Sequence, residues 1–397
     1  MALTRRSYSV AQLDPLQRLP GRKEFDESVK ILQESIDGGK IGIIQKKGVI
    51  YATKTIPTPT IQEQNEVFEE WEIVRDLKLL GYHELYNDLE NKQMIIVQDY
   101  LPCNLLQYIC NQNKYKSNKR KSLSHQSKSR PKHSRGHSRK ISKSEVLFPH
   151  LAEKEAKQIA VSVLCKIKKM HKYGFIHCDI KPENIMKLTS LNRKSSKSPS
   201  SLSSARSRSH SRTNSISTNL SNHSNNYCDD WRIIDFGLRT RYSLSKGYCM
   251  NSWRGTIGWT APELIPNNGC SNKITPELDV WCMGLCILYM VIGENPFELT
   301  IKECKENKLY SLESGKKYWY YTKLLDFNKN KKWNHYLIFL HKKNKISLNL
   351  LDLLLNHMLV FDVKKRSSVK TILKHQWFRD ILKIQKINQQ KRFVIGK

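Results

Sequence analysis

The chain has 397 residues, 39% of them hydrophobic, which suits one large core or two modest lobes and excludes a string of independent domains. Lys and Arg number 68 against 36 Asp and Glu, a formal charge of +32 that favours anionic partners and is gathered in a few stretches. Ten cysteines show no CxxC pair and no zinc-type His/Cys spacing, which argues against a disulfide framework or structural metal and fits a reducing compartment.

Residues 1–24 read as an N-terminal extension, with Arg5 and Arg6 and no apolar run of the signal-peptide kind. From about Phe25 to Ile56 the pattern is strand-like, with Gly38, Gly39, Gly42 and Gly48 as turn punctuation. A helix is predicted near Gln62 to Leu80, where Val67, Trp71, Val74, Leu77 and Leu80 recur at three- and four-residue steps. Met94 to Val97 forms a short buried strand.

Two segments, about 112–144 and 190–227, are rich in Ser, Lys and Arg and almost free of acids and large apolar residues. They cannot bury enough apolar surface to offset the entropy of ordering and read as disordered inserts. Between them, Glu153 to Tyr173 is an amphipathic helix with Ile159, Val163, Ile167 and Met170 on one side. From Pro262 to Trp377 the chain reads as mostly helical, with Lys302 to Lys345 poorly patterned, and 379–397 is a basic tail. The longest apolar stretch, Val280 to Gly293, is too short to span a bilayer, so a buried core helix and no membrane span are expected. The expected location is intracellular, in nucleus or cytoplasm.

Chemistry concentrates in Ile176-His177-Cys178-Asp179-Ile180-Lys181-Pro182-Glu183-Asn184, then in Trp231-Arg232-Ile233-Ile234-Asp235-Phe236-Gly237, and then in Gly255-Thr256-Ile257-Gly258-Trp259-Thr260-Ala261-Pro262-Glu263. In order and spacing these resemble the catalytic loop, the metal-binding turn and the end of the activation segment of the eukaryotic protein kinases, Ser/Thr type, with the subfamily unresolved. The resemblance implies an α+β, bilobal fold over residues 25–378, with a small antiparallel β-rich lobe and a large helical lobe. It implies Mg²⁺-assisted, in-line transfer of the γ-phosphoryl group of ATP to a protein hydroxyl.

By the same resemblance Asp179 accepts the substrate hydroxyl proton, Lys181 stabilises charge on the moving phosphate, and Asn184 and Asp235 hold Mg²⁺. Carboxylate and amide oxygens suit that hard cation. Thr256 is implied to bond into the Asp179–Lys181 pair, Glu263 to form a buried ion pair with Arg366, and Asp279 to brace the catalytic loop. Cys178 stands where many members carry Arg.

The small lobe departs further from the pattern. Tyr51-Ala52-Thr53-Lys54 matches the motif that supplies the ATP-contacting lysine, with Ala52 beside it. Glu70 fits best as the partner of Lys54, and Glu69 and Glu72 are close. Of the phosphate-covering loop, Gly39 and Gly42 are kept, with Ile44 beyond them on the nucleotide side, but Asp37 stands at the first glycine position. Gln98 resembles the back-pocket residue, and Asp99 and Leu101 the adenine hinge.

A protein substrate is implied, with basic residues near the acceptor suggested by Glu183. A reading of a different class, a scaffold on an inactive kinase fold, draws on the altered glycine loop and the basic inserts. Without interleaved aromatics, those inserts would attract nucleic acid only nonspecifically.

Overall fold

In the computed structural model the described residues are 19–21, 29–35, 38–112, 149–188, 231–242, 248–250, 255–264, 272–297, 313–329 and 331–383. Both expected inserts fall almost wholly outside them, as does Asp37.

β-branched and aromatic residues alternating with polar ones build an antiparallel sheet first. Its five strands are β1 (Lys30–Glu34), β2 (Lys40–Lys46), β3 (Val49–Pro57), β4 (Tyr82–Asp88) and β5 (Gln93–Asp99), in the order β1-β2-β3-β5-β4. Directly paired residues share a face. The register Ile43↔Ala52↔Gln98 and Ile41↔Lys54↔Ile96 therefore puts Ala52, Lys54 and Gln98 on one side. Ile44 pairs with Tyr51 and points the other way, into a small cluster with Tyr86, Ile95 and Val97.

Helix α1 (Ile61–Asp76) follows β3. Thr60 and Glu63 form a reciprocal capping box at its start, a signature already present in the spelling Thr-x-x-Glu. It stops at Asp76, four positions before the Leu80 that its apolar spacing reaches. Lys78, with φ of 47°, turns the chain so that Leu79 and Leu80 are buried on the way to β4.

The second lobe is built around α2 (Glu153–Lys172) and α3 (Glu277–Ile292). The predicted stripe of α2, Ile159, Val163, Ile167 and Met170, is fully buried. Helix α3 is apolar all round because it is buried nearly all round, and Gly293, at φ 81°, ends it. A Cβ on Gly284 would come within 2.9 Å of Leu359 and 3.1 Å of Met358, so glycine lets the following π turn (Leu354–Met358) seat against α3. The poorly patterned stretch forms α4 (Glu313–Lys329) and α5 (Lys332–Lys342), held by an aromatic cluster of Phe297, Phe327 and Trp333. Past residue 378 the chain stays helical through 383, with Ile381 buried in the core. No helix among the described residues is long and apolar enough to cross a membrane.

Short strand pairs join the lobes' chemistry to this core: β6 (Phe175–Ile176) with β9 (Thr240–Arg241), and β7 (Ile185–Lys187) with β8 (Trp231–Ile233). Lys187 lies opposite Trp231, so the long Ser/Arg-rich segment between them leaves and re-enters at neighbouring points.

Arg366 clamps the second lobe. Its guanidinium, with no solvent exposure, binds both oxygens of Glu263 at 2.6 and 2.9 Å, the Val360 carbonyl at 3.0 Å and the Glu277 carbonyl at 2.9 Å. Removing one partner strands the other charge away from water. Arg366→Ala is expected to lower unfolding free energy by about 3–5 kcal/mol in urea titrations, and a loss under about 1 kcal/mol would contradict the clamp.

Candidate active site

The loop after β6 is bent by backbone that favours no ordinary side chain: Cys178 has φ of 70°. Strain of this kind persists only where surroundings over-determine it. Asp279, reaching from the first turn of α3 and fully buried, accepts the N–H groups of His177 (2.9 Å) and Cys178 (3.0 Å) and pairs with His171 at 2.8 Å. Burial opposes ionisation of Asp279, but the bonds from His171, with His177, hold its pKa below the ordinary carboxylate value.

The bend delivers Asp179 into a closed network. Lys181 Nζ donates to Asp179 Oδ2 (2.8 Å) and to Thr256 Oγ1 (2.7 Å), while Thr256 Oγ1 donates to Asp179 Oδ1 (2.7 Å). Asn184 Nδ2 donates to the Asp179 carbonyl (2.9 Å) and to Oδ2 (3.1 Å), which leaves its amide oxygen as the metal-capable atom. Gly255, at φ 86°, makes room for this contact: a Cβ there would meet Thr260 Oγ1 at 2.8 Å and the Cys178 carbonyl at 3.0 Å.

Asp235 sits next to this network through the β7–β8 register, in which Ile234 N donates to the Asn184 carbonyl at 3.0 Å. His177 Nδ1 accepts the Asp179 N–H (3.2 Å), so its Nε2 donates to the Ile234 carbonyl (3.1 Å). Asp235 itself has φ of 64°, and its half-exposed carboxylate faces Lys54 at 3.5 Å. Partial burial pushes its pKa up, but Lys54 first, then His177 and Lys181, hold it below the usual value, so it stays an anion.

Lys54 lies between two carboxylates, 3.6 Å from Glu70 and 3.5 Å from Asp235. Burial lowers its pKa, yet Glu70 and Asp235 outweigh that and raise it, keeping an ammonium in the cleft. Of the three glutamates open from the sequence, Glu70 is the buried one. Glu69 instead faces Arg239 and Arg241.

Ala52 and Gln98 share the Lys54 face of the sheet. Asp99 directs its carboxylate to His83 (2.8 Å), and Leu101 is buried nearby. Ile44 is not on this face, so Ile43, paired with Ala52, takes the cleft position that the motif spacing assigned to Ile44. The hairpin from β2 to β3 is short, and that shift of one residue inverts every side chain. In the β1–β2 turn the left-handed glycine is Gly38, at φ 83°, with Ser35 closing on the Gly39 carbonyl at 2.8 Å. Gly42 serves close packing: a Cβ would strike Val29 at 2.6 Å.

Elsewhere, among the described residues, Asp352, His357 and His375 form a group of metal-ligand type. His375 Nδ1 accepts the Trp377 N–H at 3.2 Å, which puts its proton on Nε2, facing Asp352 Oδ2 at 2.9 Å. An Nε2 that carries a proton does not bind a cation.

A bilobal fold with paired acids, an amide and a lysine at the cleft defines a phosphotransferase architecture, and comparison with known proteins gives the family. The protein kinase domain model matches residues 134–378, more than half of the chain, and the chain belongs to the protein kinase family. Similar proteins include serine/threonine-protein kinase ppk6 of Schizosaccharomyces pombe, 28% identical over 41% of this chain and 15% of its own length. Ribosomal protein S6 kinase 2 alpha of Xenopus laevis is 24% identical over 60% of this chain and 25% of its own. DNA damage response protein kinase DUN1 of Saccharomyces cerevisiae is 26% identical over 58% of this chain and 36% of its own. The chain thus aligns with well under half the length of each of these relatives. The sheet lobe, residues 30–99, lies ahead of the matched span.

Because the Asp279 pKa is lowered in the folded state, the stability it contributes is present above the ordinary carboxylate pKa of about 4 and is lost as pH falls through the folded value. Asp279→Asn is therefore expected to be less stable than wild type at pH 7, with the gap in urea midpoints narrowing as the pH is lowered from about 4 toward 3. A gap independent of pH would contradict that role.

Proposed function

We propose that this chain is an active protein serine/threonine kinase that transfers the γ-phosphoryl group of ATP to a protein hydroxyl, over a kinase domain running from about residue 25 to at least 378. The observation that carries this reading is the closed network of Asp179, Lys181, Thr256 and Asn184 beside Asp235 and Lys54. Asp179 Oδ atoms, already oriented by three donors, are placed to take the proton of an incoming hydroxyl as its oxygen attacks phosphorus. Lys181 then offers positive charge to the transferring group, and Thr256 ties the substrate-side segment to the same carboxylate.

The donor set fits Mg²⁺: an ionised carboxylate at Asp235 and an amide oxygen at Asn184 would hold it. Held by these two residues, the ion would supply positive charge against the phosphates. Lys54, kept cationic by Glu70 and Asp235, would hold the phosphates nearer the sugar, and the backbone of Asp99 and Leu101 would receive the adenine. Gly38, Gly39 and Gly42 would cover the phosphates with backbone amides.

Glu183, exposed one residue before Asn184, supports a preference for basic residues near the acceptor. A role for nucleic acid is limited to nonspecific attraction by the basic inserts, and an intracellular site in nucleus or cytoplasm suits the free thiols. The name of one similar protein, serine/threonine-protein kinase ppk6, supports the acceptor class.

Radiolabel transfer from ATP to a generic basic protein tests the reading. Wild-type chain with Mg²⁺ is expected to label Ser or Thr, Asp179→Asn to lose about 10²–10⁴-fold in rate, and Mg²⁺ removal to abolish transfer. Wild-type transfer no greater than that of Asp179→Asn would leave the inactive scaffold as the better reading.

A further inference from the structure

The turn that carries Asp235 runs on into a residue that no motif singles out. Arg239, two positions after Gly237, buries its side chain to 10% exposure between that turn and α1. Nη1 donates to Glu70 Oε2 at 3.2 Å and to the Phe236 carbonyl at 3.3 Å. Nη2 donates to the Glu66 carbonyl at 2.7 Å and lies 3.6 Å from Glu69. One planar guanidinium thus binds two turns of the helix and the metal-bearing turn at once, a geometry that its fixed fork of donors allows and an ammonium does not. Next to it, Arg241 pairs with Glu69.

The Glu70 carboxylate is divided between two sets of donors. Oε1 faces Lys54 (3.6 Å) and the Tyr82 hydroxyl (3.1 Å), and Oε2 faces Arg239. Helix α1 fully buries Val67, Glu70 and Val74 and packs Phe68, Trp71 and Ile73 part-buried against the core. Polar ties add to that apolar contact in fixing its position along the sheet. Cys178, buried at the bend, offers no cation that could organise the cleft from the other side.

We propose that Arg239 is a positioning residue for phosphoryl transfer: it seats helix α1 on the Asp235 turn, so that Glu70 presents Oε1 to Lys54 without an outside cation or phosphate. The inference rests on the kinase reading above for its catalytic readout and on geometry alone for its structural one.

The test uses the whole 397-residue chain, phosphatase-treated, and four variants: Arg239→Ala, Arg239→Lys, Glu70→Gln and the double variant Arg239→Ala/Glu70→Gln. Arg239→Ala is expected to lower kcat/KM for transfer to a basic protein about 10- to 100-fold, the range for one or two charged hydrogen bonds. Arg239→Lys should recover only part of it, and the double variant should be little worse than Glu70→Gln alone, because both act through one carboxylate. Hydrogen exchange over residues 61–76 should quicken in Arg239→Ala while residues 153–172 keep wild-type protection. Full additivity with Glu70→Gln, or unchanged exchange in 61–76, overturns the proposal. Should Arg239→Ala fail to fold, Arg239→Lys carries the same comparisons, and wild-type kcat/KM with wild-type exchange in that variant overturns it. If wild type itself transfers no phosphate, the kinase reading fails, and exchange at 61–76 still decides the seating of the helix.

Discussion

Lys54 is where the sheet, helix α1 and the Asp235 turn meet, and their arrangement depends on its charge. A buried ammonium costs several kcal/mol to desolvate unless carboxylates surround it. Glu70 at 3.6 Å and Asp235 at 3.5 Å meet that cost from opposite sides, one from each lobe. The pairs do more than stabilise one another: they set the helix at the height of Glu70 and the turn at the height of Asp235. Loss of Asp235 would remove the direct tie from Lys54 to the second lobe's turn, and loss of Glu70 the tie from Lys54 to the helix.

The second lobe solves a different problem, that of holding strained backbone. Cys178 and Asp235 both occupy left-handed conformations without being glycine, at a cost of about 1–3 kcal/mol each. The core helix α3 opposes the first strain with the Asp279 carboxylate, and the His177 ring opposes the second by binding the Ile234 carbonyl while accepting the Asp179 N–H. A single imidazole therefore reads the position of both loops. Apolar α3, buried along most of its surface, is what makes a buried carboxylate such as Asp279 a fixed point rather than a mobile one.

Much of this was legible in the sequence where chemistry and spacing coincide. Asp179, Lys181, Asn184, Asp235 and Thr256 stand in short segments whose order carries its own meaning, and the ladder of β7 on β8 makes the long insert irrelevant to their meeting. The pairing of Arg366 with Glu263 was legible only through the family resemblance, and the two side chains meet as it implied. Spacing made Glu70 the best fit but left Glu69 and Glu72 close, since which carboxylate turns inward depends on helix rotation, and rotation here depends on Arg239. That arginine had no motif to mark it. Its weight comes from three acceptors on a helix far off in sequence, and an arginine after an Asp-Phe-Gly turn is otherwise an ordinary surface charge. The aromatic cluster around Trp333 was hidden for a similar reason: helices α4 and α5 bury rings contributed by a distant loop, so neither shows a clean apolar stripe alone.

The small sheet shows how far such a lobe can drift while its chemistry stays in register. The family match begins only at residue 134, and the turn between β1 and β2 has moved its left-handed glycine to Gly38. Ile44 has rotated to the outer face and Ile43 to the inner one. None of these changes disturbs β3 against β5, where seven consecutive pairs from Tyr51↔Asp99 to Pro57↔Gln93 fix Ala52 opposite Gln98 and Lys54 opposite Ile96. Ile96 and Met94 are fully buried on the helix side and Ile95 and Val97 on the other, so β5 is fixed by burial on both faces. An edge hairpin can shorten and re-register at little cost, because one side of it faces water. The constraint on Lys54 is thus hydrophobic before it is electrostatic: burial of β5 sets the register of β3, and the register of β3 aims the ammonium.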